Sequence, residues 1–480
     1  MVRGGRRVFF IIGVGSGSVN GFTAGVLLCE TSIVKLHALW QKPGTLPRPR
    51  PAAVDRARRR SGFPHPPGCL SLSDGVPYVN PTPNAGALAG VRILDMATVL
   101  AAPIGATLCA DHGAEVVKLE LPDGSDPLRG LQPVKDGVAL WWKVANRGKK
   151  GITLDVRKPY GKALLLRMLP QFDVLVENFR TGTMDRWGLD AATLLAVNPR
   201  LVILRLTGFG QTGPYAARPG FARIFEAMSG FTSLTGERGG SPLHSNFPVG
   251  DAVAGLFAAF SIASEIARLR ADPKAAGCVV DLSATEALFR LLDPLPVEHE
   301  QLGLVRQPEG NCASYTAPSN MYMSQDRVFF SLVASSNPIF ARLAQAVGHP
   351  EWSCDPRYDS NPARVRNLQA LDTELAAWFV ARPYVVITDA LQAAGVPFSK
   401  VNTIVDIESD PHFAARQAIV RLADPLYGSL PAPCIVPRVA GREMPIPRTG
   451  PDVGEHNAEV YGRFGIDAAE LTALRVAGVV

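Results

Sequence analysis

Cysteine is scarce in this chain and is never arranged for pairing. Cys29, Cys69, Cys109, Cys278, Cys312, Cys354 and Cys434 are odd in number, far apart and nowhere spaced as Cys-x-x-Cys. That excludes a disulfide framework and a cysteine zinc site, and it fits a reducing, cytoplasmic compartment. No two of the eight His stand at i, i+4, so no metal ligand is assigned. No Gly-x-Gly-x-x-Gly follows the first strand-like run, which leaves the chain without a dinucleotide fingerprint. A clean membrane span is also missing: the apolar run at 8–29 is diluted by Gly13, Gly15, Ser16, Gly17, Ser18, Asn20 and Gly21. The net charge of +6 is not spread over the molecule, because residues 1–80 hold 11 Lys/Arg against 3 Asp/Glu and residues 81–480 therefore carry a net −2. A general nucleic-acid surface is excluded on that ground.

What is present is ordinary globular composition, 47% hydrophobic and 19% charged over 480 residues, long enough for more than one domain and a large core. Residues 1–80 do not resemble the rest, being basic and rich in Pro and Arg. They fit either a disordered extension or a weak organelle-targeting segment, and they are set apart from the fold. From Val91 onward, strand-like apolar runs at 91–96, 115–121, 151–156, 173–179, 201–206 and 278–282 alternate with helical stretches at 103–111, 160–169, 190–197 and 284–292. That alternation predicts an α/β fold with a parallel sheet covered on both faces. After the run at 201–206 comes Thr207-Gly-Phe-Gly-Gln-Thr-Gly-Pro214, either a plain turn or a ligand loop at a strand's C-terminal end.

Beyond Pro294 the character changes. A Gln/Gly/Asn-rich connection runs to Asn320, followed by a strand at 328–333 and helices at 338–347, 363–381 and 386–394. This predicts a smaller α+β domain at about 301–400. Residues 401–480 then return to the large domain of 81–300 and end in a helix at 468–476.

One stretch concentrates chemistry: Phe247-Pro-Val-Gly-Asp251-Ala-Val-Ala-Gly-Leu-Phe-Ala-Ala-Phe260. A lone carboxylate opens an almost wholly apolar helix whose first charge is Glu265 and which closes on Arg268 and Arg270. The run is too short for a span and reads as a buried core helix. A carboxylate there faces the positive end of the helix dipole, so it is expected to stay ionised and well oriented, which suits a nucleophile. The plainer reading of Asp251 is an N-cap. Cations gather elsewhere: Arg147, Lys149, Lys150 and Arg157 surround one strand, and Arg180 and Arg186 follow another. They suit either phosphate binding or a solvated charged face.

Taken in order, these pieces resemble a known family. They are Asn146-Arg-Gly-Lys-Lys-Gly-Ile-Thr-Leu-Asp-Val-Arg157, Asp173-Val-Leu-Val-Glu-Asn-Phe-Arg180, Val249-Gly-Asp-Ala-Val-Ala-Gly255, Gly454-Glu-His-Asn-Ala-Glu-Val-Tyr461 and Leu474-Arg-Val-Ala-Gly-Val-Val480. Together with the glycine-rich loop they resemble the class III coenzyme A transferases, a group that also contains α-methylacyl-CoA racemase. The resemblance implies a Rossmann-like large domain formed by both chain ends, an inserted smaller α+β domain, and a homodimer of interlocked subunits. It implies that Asp251 is the catalytic nucleophile, attacking an acyl-CoA thioester to give an anhydride and then an aspartyl-CoA thioester. It places coenzyme A contacts at Val99, Leu100, Ala101, Leu154, Asp155, Arg157, Asn178, Phe179, Arg180 and Arg186. Coenzyme A and its esters are substrates, with no tightly bound cofactor; the partners are acyl-CoA, a small carboxylic acid and a second subunit, with no nucleic acid and no membrane.

The chain departs from the pattern in places. Leu100 stands where formyl-CoA transferase has a catalytic Gln. Ala222 occupies a place that relatives often fill with Asp, with Glu226 one turn further on. The glycine lid of formyl-CoA transferase is reduced to Glu309-Gly-Asn311. Phe221 stands at the place of the racemase histidine and can neither give nor take a proton. A CoA transferase is therefore expected ahead of a CoA-ester racemase or a non-catalytic CoA-binding relative.

Overall fold

A computed structural model describes residues 86–480; the expectations for residues 1–80 fall outside the described residues. The central sheet has six strands, all parallel. From one edge they are Lys150–Thr153, Glu115–Glu120, Arg92–Asp95, Val174–Glu177, Val202–Thr207 and Cys278–Ser283. In chain order this is third, second, first, fourth, fifth, sixth. The direction of growth reverses between Arg92–Asp95 and Val174–Glu177, and in open sheets that crevice is where ligands bind.

The strands are apolar on both faces because both faces are covered. Successive side chains point to opposite sides, so Ile93, Val116, Val174, Val176, Val202 and Leu204 enter one core, and Leu94, Val117, Leu175 and Ile203 the other. The first core is closed by the helices Ala101–Asp111 and Val249–Ala271. The second is closed by the helix Pro159–Met168 and by the C-terminal segment, which contributes Tyr461, Leu471, Leu474 and Val479. That segment is also tied by hydrogen bonds to the chain running out of the edge strand Lys150–Thr153. Thr153 N donates to Asn457 Oδ1 (2.9 Å), the Tyr461 hydroxyl to Thr153 O (2.7 Å) and Asp155 N to Val479 O (2.7 Å).

The two helices over the first core touch closely because glycines line their crossing. A Cβ at Gly105 would lie 2.7 Å from Ala258 Cβ, and one at Gly255 would lie 2.9 Å from Ala101 O and 2.7 Å from Ile104 Cγ2. At 23 residues the helix Val249–Ala271 is longer than its sequence implied and is long and apolar enough to cross a membrane. It is a core element: Ala254, Ala258, Ile262, Ile266 and Leu269 are buried, while Leu256 and Phe260 face outward.

A separate antiparallel sheet pairs Ser319–Met323 with Phe329–Val333 and the latter with Phe398–Lys400. Helices Asn337–Ala346, Leu368–Val380 and Tyr384–Ala393 pack on it around their own core of Phe330, Phe340, Leu371, Leu375 and Phe379. Two expectations here are corrected. The connection beyond Pro294 contains a helix, Pro294–Leu302, and the strand Ser319–Met323. The helix expected at 363–381 is two, Asn361–Arg366 and Leu368–Val380, because Asn367 leaves helical geometry (φ −109°, ψ 21°).

Candidate active site

The chain leaving Arg92–Asp95 makes an unusual turn before Ala101–Asp111. Val99 has φ 64°, in the left-handed region. For a β-branched residue that costs on the order of 1–3 kcal/mol, so its surroundings must impose it. They do so through main-chain hydrogen bonds: Val99 N donates to Asp126 Oδ1 (3.0 Å) and Thr98 N to Asn178 Oδ1 (2.8 Å), while Asn178 Nδ2 returns a bond to Thr98 O (2.8 Å). Asp126 is in turn 3.3 Å from Lys118 Nζ, and Lys149 Nζ donates to Asp95 (2.7 Å). These four ionic side chains are buried. Unpaired, each would carry a large desolvation cost, so the set is locked as a unit beneath the turn.

This fate of Lys149 corrects both readings of the cation cluster: it is neither a phosphate ligand nor solvated. Arg147 donates to Asp111 (2.9 and 2.5 Å), and Lys150 to Glu115 (2.9 Å) and Glu459 (2.7 Å), so their charges also serve the fold.

Opposite the turn lies the start of Val249–Ala271. Its N-cap is Pro248, with no side-chain cap bond, and Asp251 is the third helical residue. The N-cap reading of Asp251 is therefore set aside. Its carboxylate has no hydrogen-bond partner among the described residues, although it is only 9% exposed. Burial pushes its pKa up from 3.8 to about 6, and the charge of Glu226 pushes in the same direction. The carboxyl is thus expected to be ionised at neutral pH, as its place at a helix start implies, but against a desolvation cost.

Asp251 opens onto a cavity of about 320 Å³ at the sheet's reversal point, whose wall includes Val99, Leu100, Ala101, Asn178, Phe179 and Arg180. Six of the ten expected coenzyme A contacts thus meet around the expected nucleophile. Thr207 and Gly208 of the glycine-rich loop complete one side. Gly208 and Gly220 are needed there, since a Cβ at either would come within 2.5 Å of Phe225 Cε1. A second, wider and more apolar cleft shares Val99, Leu100, Phe221 and Asp251 with the first and adds Trp141 and Phe247. Asp251 stands at their junction.

The other four expected contacts do not line this cavity. The Leu154 side chain is fully buried in the core. Asp155 accepts from Arg157 Nε (2.8 Å) and Nη2 (3.0 Å), and that arginine's hydrogen bond holds the Asp155 carboxyl below its usual range. Arg186 donates to Thr183 Oγ1 (2.7 Å).

Sequence reasoning missed Thr98 and Arg218 on the cavity wall, and Glu177, whose Oε2 accepts from Phe179 N (2.7 Å). Burial raises the Glu177 pKa to about 7. The available signal was position: Thr98 and Glu177 flank the two strand ends at the reversal point. Glu226 is buried and borders neither cleft. Its Oε1 accepts from Gly250 N (3.0 Å), and its Oε2 lies 3.2 Å from His244 Nδ1. The remnant of the glycine lid is tied down by Glu309 to Arg238 (2.5 Å) and by Gly310 N donating to Gly236 O (2.9 Å).

The architecture is thus a parallel sheet covered on both faces, with a buried carboxylate at its reversal point. The chain belongs to CoA-transferase family III, whose sequence profile matches residues 88–457. It is a class III CoA transferase. It is 39% identical over 392 residues to succinyl-CoA–D-citramalate CoA-transferase of Chloroflexus aurantiacus, covering 80% of this chain and 97% of that protein. It is 33% identical over 392 residues to the alpha subunit of succinyl-CoA–L-malate CoA-transferase from the same organism, covering 81% and 91%. Among solved structures it is similar to a CAIB/BAIF family protein from Brucella suis, with a TM-score of 0.69, 29% identity, and coverage of 79% of this chain and all of that one.

Proposed function

We propose that the enzyme moves coenzyme A from an acyl-CoA donor to a small carboxylic acid through covalent intermediates on Asp251. The observation that carries this reading is the Asp251 carboxylate, buried, without a hydrogen bond among the described residues and facing the cavity where 98–101 meets 178–181. An Asp251 oxygen attacks the thioester carbonyl, the C–S bond breaks, and CoA leaves as thiolate from an acyl-aspartyl anhydride. The thiolate then attacks the aspartyl carbonyl of the anhydride and releases the donor acid, leaving an aspartyl-CoA thioester. The acceptor carboxylate repeats the two steps in reverse and regenerates Asp251. Splitting one exchange into four acyl transfers keeps CoA in place throughout.

Val99, Leu100, Ala101, Asn178 and Phe179 flank the thioester arm, and Arg180, with Arg157 and Arg186 further out, meets the phosphates. The named relatives use succinyl-CoA, which makes it the first donor to test here. The large domain, Rossmann-like, comprises 81–300 and 401–480, with 301–400 inserted. The outward Leu256 and Phe260 on the Asp251 helix support an interlocked homodimer, and scattering-derived mass checks it.

The test is incubation with a panel of acyl-CoAs and free acids, with mass detection of new CoA esters. Transfer is expected in wild type and absent in Asp251→Ala, with a hydroxylamine-sensitive adduct on Asp251 in wild type. Exchange of solvent deuterium into the α-carbon of a 2-methylacyl-CoA, without CoA transfer to any acid, would overturn the reading in favour of a racemase.

A further inference from the structure

A carboxylate in the third position of a helix ordinarily folds back onto a free N–H of the first turn. None of the three positions before Asp251 offers it one. Pro248 at the N-cap has no N–H, Val249 N donates to Phe247 O (2.9 Å), and Gly250 N donates to Glu226 Oε1 (3.0 Å). Glu226 reaches this point from another helix, Ala222–Met228, and is 1% exposed. Its second oxygen is met by His244 Nδ1 at 3.2 Å. A buried acid is thus fixed at both oxygens, one of them on the residue next to the nucleophile, yet it touches neither cleft.

We propose that Glu226 is a positioning residue for CoA transfer: it claims the Gly250 N–H, fixes the start of the helix, and sets a negative charge beside an Asp251 carboxylate left without a hydrogen bond. The consequence is a carboxylate poorly stabilised in the resting enzyme and correspondingly eager to bond to an acyl carbon. A like charge in a buried place raises the energy of a carboxylate near it, and Glu226 pushes the Asp251 pKa up in the same direction as the larger effect of desolvation. The other charged groups on elements around the pair are His244, Arg223 on the Glu226 helix, Glu286 on the packed helix Ala284–Phe289, and Arg180 and Arg218 across the cavity. Of these, Glu226 is the one tied by a hydrogen bond to the residue next to Asp251.

The inference rests on the reading of Asp251 as nucleophile, and the experiment separates the two. Glu226→Gln keeps an oxygen for Gly250 N–H and removes the charge; Glu226→Asp keeps the charge at shorter reach. The Asp251 carboxyl is titrated without substrate by infrared difference against Asp251→Asn, and kcat and KM are followed against pH. In Glu226→Gln the titration midpoint and the acid limb of kcat are expected to fall together by about one pH unit. Plateau kcat should drop severalfold while KM for acyl-CoA and the melting temperature hold, and Glu226→Asp should recover part of the shift. Wild-type midpoint and wild-type kcat in Glu226→Gln would overturn the proposal. Activity surviving in Asp251→Asn would overturn the nucleophile reading instead, and the infrared titration would still decide what Glu226 does to Asp251.

Discussion

Asp251 must ionise to act, and it does so in a place that opposes ionisation. Burial and Glu226 lift its pKa from 3.8 to about 6, so the folded state favours the protonated form. The sign follows: below pH 4 the carboxyl is neutral folded or unfolded and costs nothing, and as pH rises through 6 the folded state loses stability relative to the unfolded one. Asp251→Asn is therefore expected to be inactive yet more stable than wild type at pH 8, by on the order of 3 kcal/mol. The gain should vanish below pH 4. Denaturant midpoints at both pH values check this, and equal stability of the two proteins at pH 8 would contradict it. The arginines divide by their partners. Arg157 is already held by Asp155 and Arg186 by Thr183, whereas Arg180 reaches the cavity wall and has no carboxylate partner among the described residues. Arg180→Ala should weaken CoA-ester binding most, by on the order of 1–3 kcal/mol for a lost charge-assisted hydrogen bond. Calorimetric titration with CoA ranks the three variants.

The element that carries Asp251 is placed by its fit to the helix Ala101–Asp111, and the fit depends on Gly105 and Gly255. Gly255→Val puts branched carbons where even a Cβ would lie 2.7 Å from Ile104. The helices must part, at a cost of about 1–3 kcal/mol for overpacking. Because Leu100 and Ala101 on one helix and Asp251 on the other share the cavity, kcat should fall by more than the lost stability explains at a temperature where the variant stays folded. Activity and thermal unfolding of the same preparation check it. Elements of this kind were legible in the sequence, since uninterrupted apolar runs and helical periodicity report burial directly. What the runs could not show was contact across long chain separations. Lys149 reads as a surface cation until Asp95, 54 residues away, is beside it, and Asp251 reads as a cap until Glu226, on another helix, takes the neighbouring N–H. The strand Ser319–Met323 was missed for another reason: its sequence, Ser-Asn-Met-Tyr-Met, has little apolar pattern of its own, and pairing with Phe329–Val333 is what makes it a strand.

At the scale of the whole molecule, the two ends of the chain are expected to differ in what they contribute. The family profile begins at residue 88 and the basic, proline-rich leader lies before it, so a chain starting at Pro81 should fold, keep its activity and form the same oligomer. The C-terminus is different. Leu471, Leu474, Val479 and Val480 are buried in the core over one face of the sheet, and Val479 O accepts the Asp155 N–H. Removing residues 468–480 takes away four buried side chains, each worth about 1.5–3 kcal/mol. It also opens the core over that face of the sheet, to which Leu154, Val156 and Leu164 belong. Against a net stability of about 5–15 kcal/mol for a typical domain, that loss is of the same size as the whole. The shortened chain should therefore be insoluble or unfolded, while the chain starting at Pro81 melts with the full-length protein. Side-by-side expression, circular dichroism and CoA-transfer assays of the two truncations decide the point: a folded, active protein ending at residue 467 would show that the C-terminal helix is an accessory, and an unfolded protein starting at Pro81 would make the leader part of the fold.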